Sequence, residues 1–202
     1  MVNDFRMTLQ MGSVIFRKDY RTLYQFQKDI KTWCKRERVW ATIIANDVSE
    51  RYNYKINVIN TAHSNGRIIK KRITKVQPDA IFDMCGRKIP IEIKSYYTDK
   101  AFDEIPFFTF KVSSLKAVCG YHGMLVVVNR SWWLSIDDLA ITCVVNTFPH
   151  AVYYDFSPND KAIRISKKEM AVLIKQKKVR KYAWTPTSQA MIAAQQKVLF
   201  GH

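Results

Sequence analysis

Gln77-Pro78-Asp79-Ala80-Ile81-Phe82-Asp83, followed by Lys88-Ile89-Pro90-Ile91-Glu92-Ile93-Lys94, is the stretch whose reading decides the fold. Around Glu92 the pattern alternates: Ile89, Ile91 and Ile93 fall on one face, Lys88, Pro90, Glu92 and Lys94 on the other. Side chains on a strand alternate faces with period two, so Glu92 and Lys94 project from the same surface. The intervening Cys85-Gly86-Arg87-Lys88 predicts a tight turn and hence a hairpin, which returns Asp79 to the side of Glu92. Two carboxylates and an amine then meet at one point of a sheet whose opposite face is lined with isoleucine.

Working outward, Arg21 to about Tyr52 reads as helix, with Phe26, Ile30, Trp33, Trp40, Ile44 and Arg51 in one stripe at a 3.6-residue period. Glu37 and Asp47 lie on that same stripe, an unusual place for acids unless they reach solvent or a neighbouring arginine. Tyr54 to Thr61 alternates as a strand, and His63-Ser64-Asn65-Gly66 is a turn signal. Arg67, Lys70, Lys71, Arg72 and Lys75 then place five bases in nine residues, with no acid between Ser64 and Gln77. Such a run is either a solvated face or a surface for phosphates, whose neutralisation releases counterions and gives affinity without sequence preference.

Downstream, Ser95 to Thr109 mixes aromatic, basic and acidic residues and is read as packing. Lys111 to Gly120 predicts a short helix, capped by Ser113 or Ser114 and stopped by Gly120 or Gly123. Met124 to Val128 is a continuous apolar run suited to a strand covered on both faces, with Ser131 to Ile136 pairing beside it. Further strands are expected over Thr142 to Asn146 and Ala151 to Phe156. Ser166-Lys167-Lys168-Glu169 is a capping box opening a helix to about Gln176, and Thr185-Pro186 opens a last helix stopped by Gly201. The last helix carries an apolar face (Met191, Ile192, Val198, Leu199) that needs a partner, either the body or a second subunit. Between Lys161 and Lys181 stand nine bases and one acid.

Pro78-Asp79 … Glu92-Ile93-Lys94 resembles the signature of the PD-(D/E)XK nuclease superfamily. The order of helix, hairpin, helix and apolar strand from Glu37 to Arg130 resembles that superfamily's core. The resemblance implies an α/β (α+β) fold: a restriction-endonuclease-like core with a mixed central β-sheet flanked by helices, extended by a basic C-terminal segment. It implies a single nuclease domain over 1–202, with the core at about 21–136 and the elaboration at about 137–202. It also implies catalytic roles for Asp79, Glu92 and Lys94, with an acid lent by the first helix; Glu37 opens the better-formed helical run and is the choice, with Asp47 and Glu50 as alternatives. Asp79, Glu92 and the backbone carbonyl of Ile93 would hold Mg²⁺, which takes oxygen ligands and keeps several waters; Mn²⁺ fits the same ligands. Lys94 would stand by the attacking water.

The expected activity is therefore Mg²⁺-dependent hydrolysis of DNA phosphodiester bonds. The compact basic core, the Asp-to-Glu spacing and the serine-bearing helix before an apolar strand look most like Holliday-junction resolvases of DNA recombination, which act as homodimers. A site-specific homing or restriction endonuclease is the alternative, as is a nucleic-acid-binding module with an inactive nuclease motif. Bulk composition agrees with a polyanionic partner: 33 Lys and Arg stand against 17 acids among 202 residues, a formal charge of +16 and a pI near 9.8. DNA, as junction or duplex, is the expected partner, contacted by Arg67, Lys70, Lys71, Arg72, Lys75, Lys111 and Lys116. No apolar run is long enough to span a bilayer, so no membrane association is expected. Cys34, Cys85, Cys119 and Cys143 lack metal-ligand spacing and read as reduced thiols of an intracellular protein of the cytoplasm or nucleoid.

Overall fold

Thirty residues without a glycine or proline, Leu23–Tyr52, form one continuous helix, α1, of roughly 45 Å at 1.5 Å per residue. It ends at Asn53, whose φ of 54° lies in the left-handed region that asparagine tolerates. In a computed structural model of the chain the described residues are 10–11, 14–16, 23–60, 78–96, 102–111, 114–115, 118, 122–137, 140, 152–154 and 161–201. The expected strand over 142–146 and the basic run 67–75 lie outside them. Of the helical stripe, Trp40 and Ile44 are buried as expected, Trp33 is half-buried and Arg51 is exposed; the side chains of Phe26 and Ile30 are outside the described set.

The strands are β1 (Gln10–Met11), β2 (Val14–Phe16), β3 (Ile56–Asn60), β4 (Ala80–Met84), β5 (Arg87–Ser95), β6 (Phe107–Lys111), β7 (Met124–Val128), β8 (Trp132–Asp137), β9 (Val152–Tyr154), β10 (Lys161–Ser166) and β11 (Val179–Ala183). Six of them form a mixed sheet in the order β11-β8-β7-β5-β4-β3, in which only β5 and β7 run parallel. The fold is thus a mixed α/β arrangement with helices flanking a mixed central sheet. The β4–β5 hairpin closes through Cys85 and Gly86, both at positive φ (54° and 87°), the pattern of a two-residue turn matched to strand twist. Asp83 Oδ1 accepts from the Gly86 N–H at 2.9 Å. Arg87 and Lys88, expected in the turn, already pair with Met84 and Asp83.

Two apolar clusters cover the sheet. On one side Ile91, Ile93, Val126, Val128 and Trp133 pack with Trp40, Ile43 and Ile44 of α1. On the other, Leu125, Val127, Leu134 and Ile136 pack with Phe108, Phe110, Ile163, Ile165 and Met170. The period-two alternation of β7 therefore sends apolar groups to both faces, and Leu125 to Val128 are all at most 1% exposed.

The second cluster belongs to a second, five-stranded sheet ordered β1-β2-β9-β10-β6, which the sequence reading did not anticipate. Lys111, expected to open a helix, instead ends β6 and pairs with Ala162 of β10. Of the expected helix, Ser114, Leu115 and Val118 are helical.

α2 (Lys167–Lys175) carries the expected capping box between Ser166 and Glu169. The last helix is two: α3 (Pro186–Ala194), capped by the Thr185 side chain, and α4 (Gln196–Phe200), stopped by Gly201 at φ 78°. Their apolar residues Ile192, Leu199 and Phe200 pack on α1, and Trp132 and Trp133 are buried on opposite faces of the sheet. The Trp132–Trp133 pair and much of the last helix's apolar face are thus used within the chain. Among the described residues, no helix is long and apolar enough to cross a membrane.

Candidate active site

Antiparallel register pairs Ala80, the first residue of β4, with Ile91, so Asp79, just before the strand, comes level with Glu92. There the Asp79 side chain takes the place of a further strand residue: its Oδ2 accepts from the Ile93 N–H at 2.7 Å. The N–H and C=O of one strand residue leave by the same edge, so the Ile93 carbonyl also opens toward Asp79. Glu92 and Lys94 point to the opposite face from Ile91 and Ile93, at the register of Leu125 and Val127 on β7. The Glu92 carboxylate accepts from the Asp79 backbone N–H and from the Ser114 hydroxyl.

Glu37 completes the group from α1. Burial, then the charge of Asp79, pushes its carboxyl up to about 8, against the pull of Lys94. Burial likewise pushes Asp79 up to about 6, offset by the Ile93 N–H and by Lys94. Glu92 is raised well above the ordinary carboxylate range by burial and by Asp79, with Glu37 adding a smaller push. Cys34, one helical turn before Glu37, is raised by burial and then by Glu37, with Asp79 adding to it. Three carboxylates around a single lysine resist ionising together in a desolvated setting, and additional positive charge is what would let them do so.

The first-helix acids separate cleanly. Asp47 is fully buried and satisfied away from the cluster, accepting from Arg51 Nε at 2.6 Å, Trp133 Nε1 at 3.0 Å and the Thr185 N–H at 2.8 Å. Burial alone would raise its carboxyl, but these donors hold it below the ordinary value. Glu50 is exposed. Of the three, only Glu37 is coupled to Asp79.

Among the described residues, no group of three or more His, Cys, Asp and Glu side chains converges tightly enough to hold a metal ion on protein ligands alone. The donor chemistry nonetheless suits a hard divalent cation, because Mg²⁺ is commonly held by one or two carboxylates, with water and substrate phosphate completing its shell. Asp79, Glu92 and the Ile93 carbonyl are the residues that would hold it.

Ser114 was expected only as a helix cap, and its hydroxyl on Glu92 has no local sequence signal. Its placement depends on Gly123. A Cβ there would stand 2.7 Å from Val118 Cβ and 2.9 Å from the Pro90 carbonyl oxygen, so only glycine lets Val118, and with it this stretch after Ser114, sit this close to β5. Of the expected DNA contacts, Lys111 is half-buried at the end of β6; Arg67, Lys70, Lys71, Arg72, Lys75 and Lys116 lie outside the described residues. No family model, no curated protein and no solved structure matches this chain.

Proposed function

We propose that the chain is a Mg²⁺-dependent endodeoxyribonuclease with a restriction-endonuclease-like core. One observation carries the reading: the β4–β5 hairpin and α1 gather Asp79, Glu92, Lys94 and Glu37 into one electrostatically coupled, largely desolvated group. A sheet and the helix packed on it have no structural need for three carboxylates whose burial opposes their charge. Asp79, anchored by the Ile93 N–H, and Glu92, anchored by Ser114, are the ligand carboxylates. A divalent cation bound there supplies Lewis-acid charge and an acidified water. Lys94, on the face of Glu92, orients the water and offsets charge developing on the phosphate oxygens. Glu37, raised by burial and by the charge of Asp79, positions the ligand set. Mn²⁺ replaces Mg²⁺ in the same oxygen set.

Within that activity we propose a structure-specific substrate, the four-way DNA junction. Paired cuts need two active sites and each chain has one cluster, so this reading implies a homodimer; its contact would use surface other than the Trp132–Trp133 and α3–α4 faces, which are buried in the chain. The test is cleavage with Mg²⁺ of a four-way junction, a random duplex and a single strand. Preferential cutting of the junction is expected. Cutting at one duplex sequence would assign a site-specific endonuclease instead, and tight binding without cutting of any substrate would assign a nucleic-acid-binding module.

A further inference from the structure

Away from the carboxylate cluster, where α1 ends over the six-stranded sheet, lies a cleft of about 540 Å³, a size that takes a drug-sized or nucleotide-sized ligand. Tyr52, Tyr54 and Tyr182 line it. Tyr52 and Tyr54 are 46% and 55% exposed, among the most exposed large side chains of the described residues. Tyr182 is stacked on Trp133 with centroids 4.3 Å apart, and its hydroxyl meets that of Tyr52 at 3.3 Å. Arg87, Lys177, Lys178 and Arg180 also line the cleft, facing one carboxylate, Asp137; four cations less one anion leave it at +3. Arg180 lies beside the hydroxyls of Tyr182 and Tyr52, which favour its charged form. Lys177 sits at φ 59° in the turn between α2 and β11, a conformation that costs a lysine energy and that glycine or asparagine would take more readily.

Exposed aromatic faces interleaved with cations suit an aromatic base carried on a phosphate. Such rings stack on any base, and neighbouring arginines and lysines follow the backbone. Base-paired nucleotides hide the faces that would stack, so the ligand is unpaired. Four cations distributed around an open cleft exceed what a single phosphate needs and suit a backbone that enters and leaves. We propose that this cleft holds an unpaired nucleotide of a nucleic-acid strand, its base against Tyr54 and Tyr52 and its flanking phosphates on Arg87 and Arg180. The cleft is separate from the carboxylate cluster. Arg87 and Glu92 are five residues apart on β5, roughly 17 Å at 3.3 Å per residue, and Glu92 points to the other face of the sheet. The site therefore grips single-stranded segments, such as those at a branch or a flap, without taking part in hydrolysis.

The test is a fluorescence-anisotropy titration of the full chain, in EDTA so that no cleavage enters, with a labelled short oligothymidine, a duplex of equal length and thymidine monophosphate as competitor. Tyr54→Ala, at a largely exposed position, is expected to weaken oligothymidine binding about tenfold, the loss of one stacked base, and to leave duplex binding within twofold. Arg87→Gln is expected to weaken oligothymidine binding and to make its dependence on log salt shallower by about 0.7, one phosphate contact on a single strand. Tyr52→Phe, which keeps the ring, is expected to bind nearly as wild type. Unchanged oligothymidine affinity in both Tyr54→Ala and Arg87→Gln would overturn the proposal, as would equal losses on single strand and duplex. Competition by thymidine monophosphate at the oligonucleotide's own affinity would overturn it in favour of a free-nucleotide site. These outcomes are independent of the nuclease reading, which is tested by cleavage with metal present.

Discussion

Replacing Asp47 with alanine should damage the fold rather than the chemistry. Asp47 is fully buried, and its two oxygens take three donors: Arg51 one turn on in α1 and, from distant parts of the chain, the Trp133 indole and the N–H of Thr185, the residue that caps α3. The Trp133 indole is 2% exposed, so orphaning it costs about 1–3 kcal/mol. The Thr185 N–H, half-buried, adds about 1 kcal/mol more. Arg51, whose side chain is 26% exposed, can turn to water, and its ion pair contributes under about 1 kcal/mol. Loss of the tie between α1, β8 and α3 thus totals roughly 2–5 kcal/mol. For a chain of this length each kcal/mol moves Tm by about 2–4 °C, so a fall on the order of 10 °C is expected. Differential scanning calorimetry of Asp47→Ala beside Glu37→Gln makes the comparison. Glu37→Gln removes a carboxyl whose burial opposes its charge, and should keep or raise Tm while lowering cleavage. If Asp47→Ala melted within about 2 °C of wild type yet lost cleavage, Asp47 and not Glu37 would be the acid of the site.

The remaining predictions concern the cluster and its supports. Because Glu37, Asp79 and Glu92 are raised in the fold, the native chain binds more protons than the unfolded one above the ordinary carboxylate range. Stability in EDTA should therefore fall as pH rises from about 4.5 through about 6 and 8, measured by urea midpoint. Glu37→Gln should flatten the upper part of that fall, and Mg²⁺ should restore stability most at the alkaline end; a midpoint that rises over this window in wild type relative to Glu37→Gln would refute the assignment. Ser114→Ala should leave the fold intact and lower cleavage about 10- to 100-fold, the usual effect of losing a group that orients a ligand. Gly123→Ala, forced against Val118 and the Pro90 carbonyl, should cost about 1–3 kcal/mol in denaturant unfolding and reduce cleavage through Ser114.

The hairpin was legible because both of its signals are local: period-two isoleucines and a Cys-Gly pair that accepts positive φ. The same holds for β7, whose apolar run is covered on both faces, and for the caps at Ser166 and Thr185. The choice between Glu37 and Asp47 was not, because both lie on one helical stripe and their surroundings come from elsewhere. Trp133 and Thr185 are 86 and 138 residues from Asp47. The second sheet was hidden for the same reason. β6 pairs with β10 from the far end of the chain, and Phe107, Phe108 and Phe110 put aromatic groups on both faces and blur the alternation. The final helix read as one because nothing around Gln195 breaks a helix by residue type; the break shows only in its backbone, at φ −103°.

The most direct measurement is Mg²⁺-dependent cleavage of a four-way junction by Asp79→Ala, with junction binding followed in parallel in EDTA. Cleavage should be abolished while affinity stays near wild type, because binding through many Lys and Arg contacts to phosphate would not need Asp79, which would serve the cation and the Ile93 N–H. Near wild-type cleavage by a folded Asp79→Ala would contradict it.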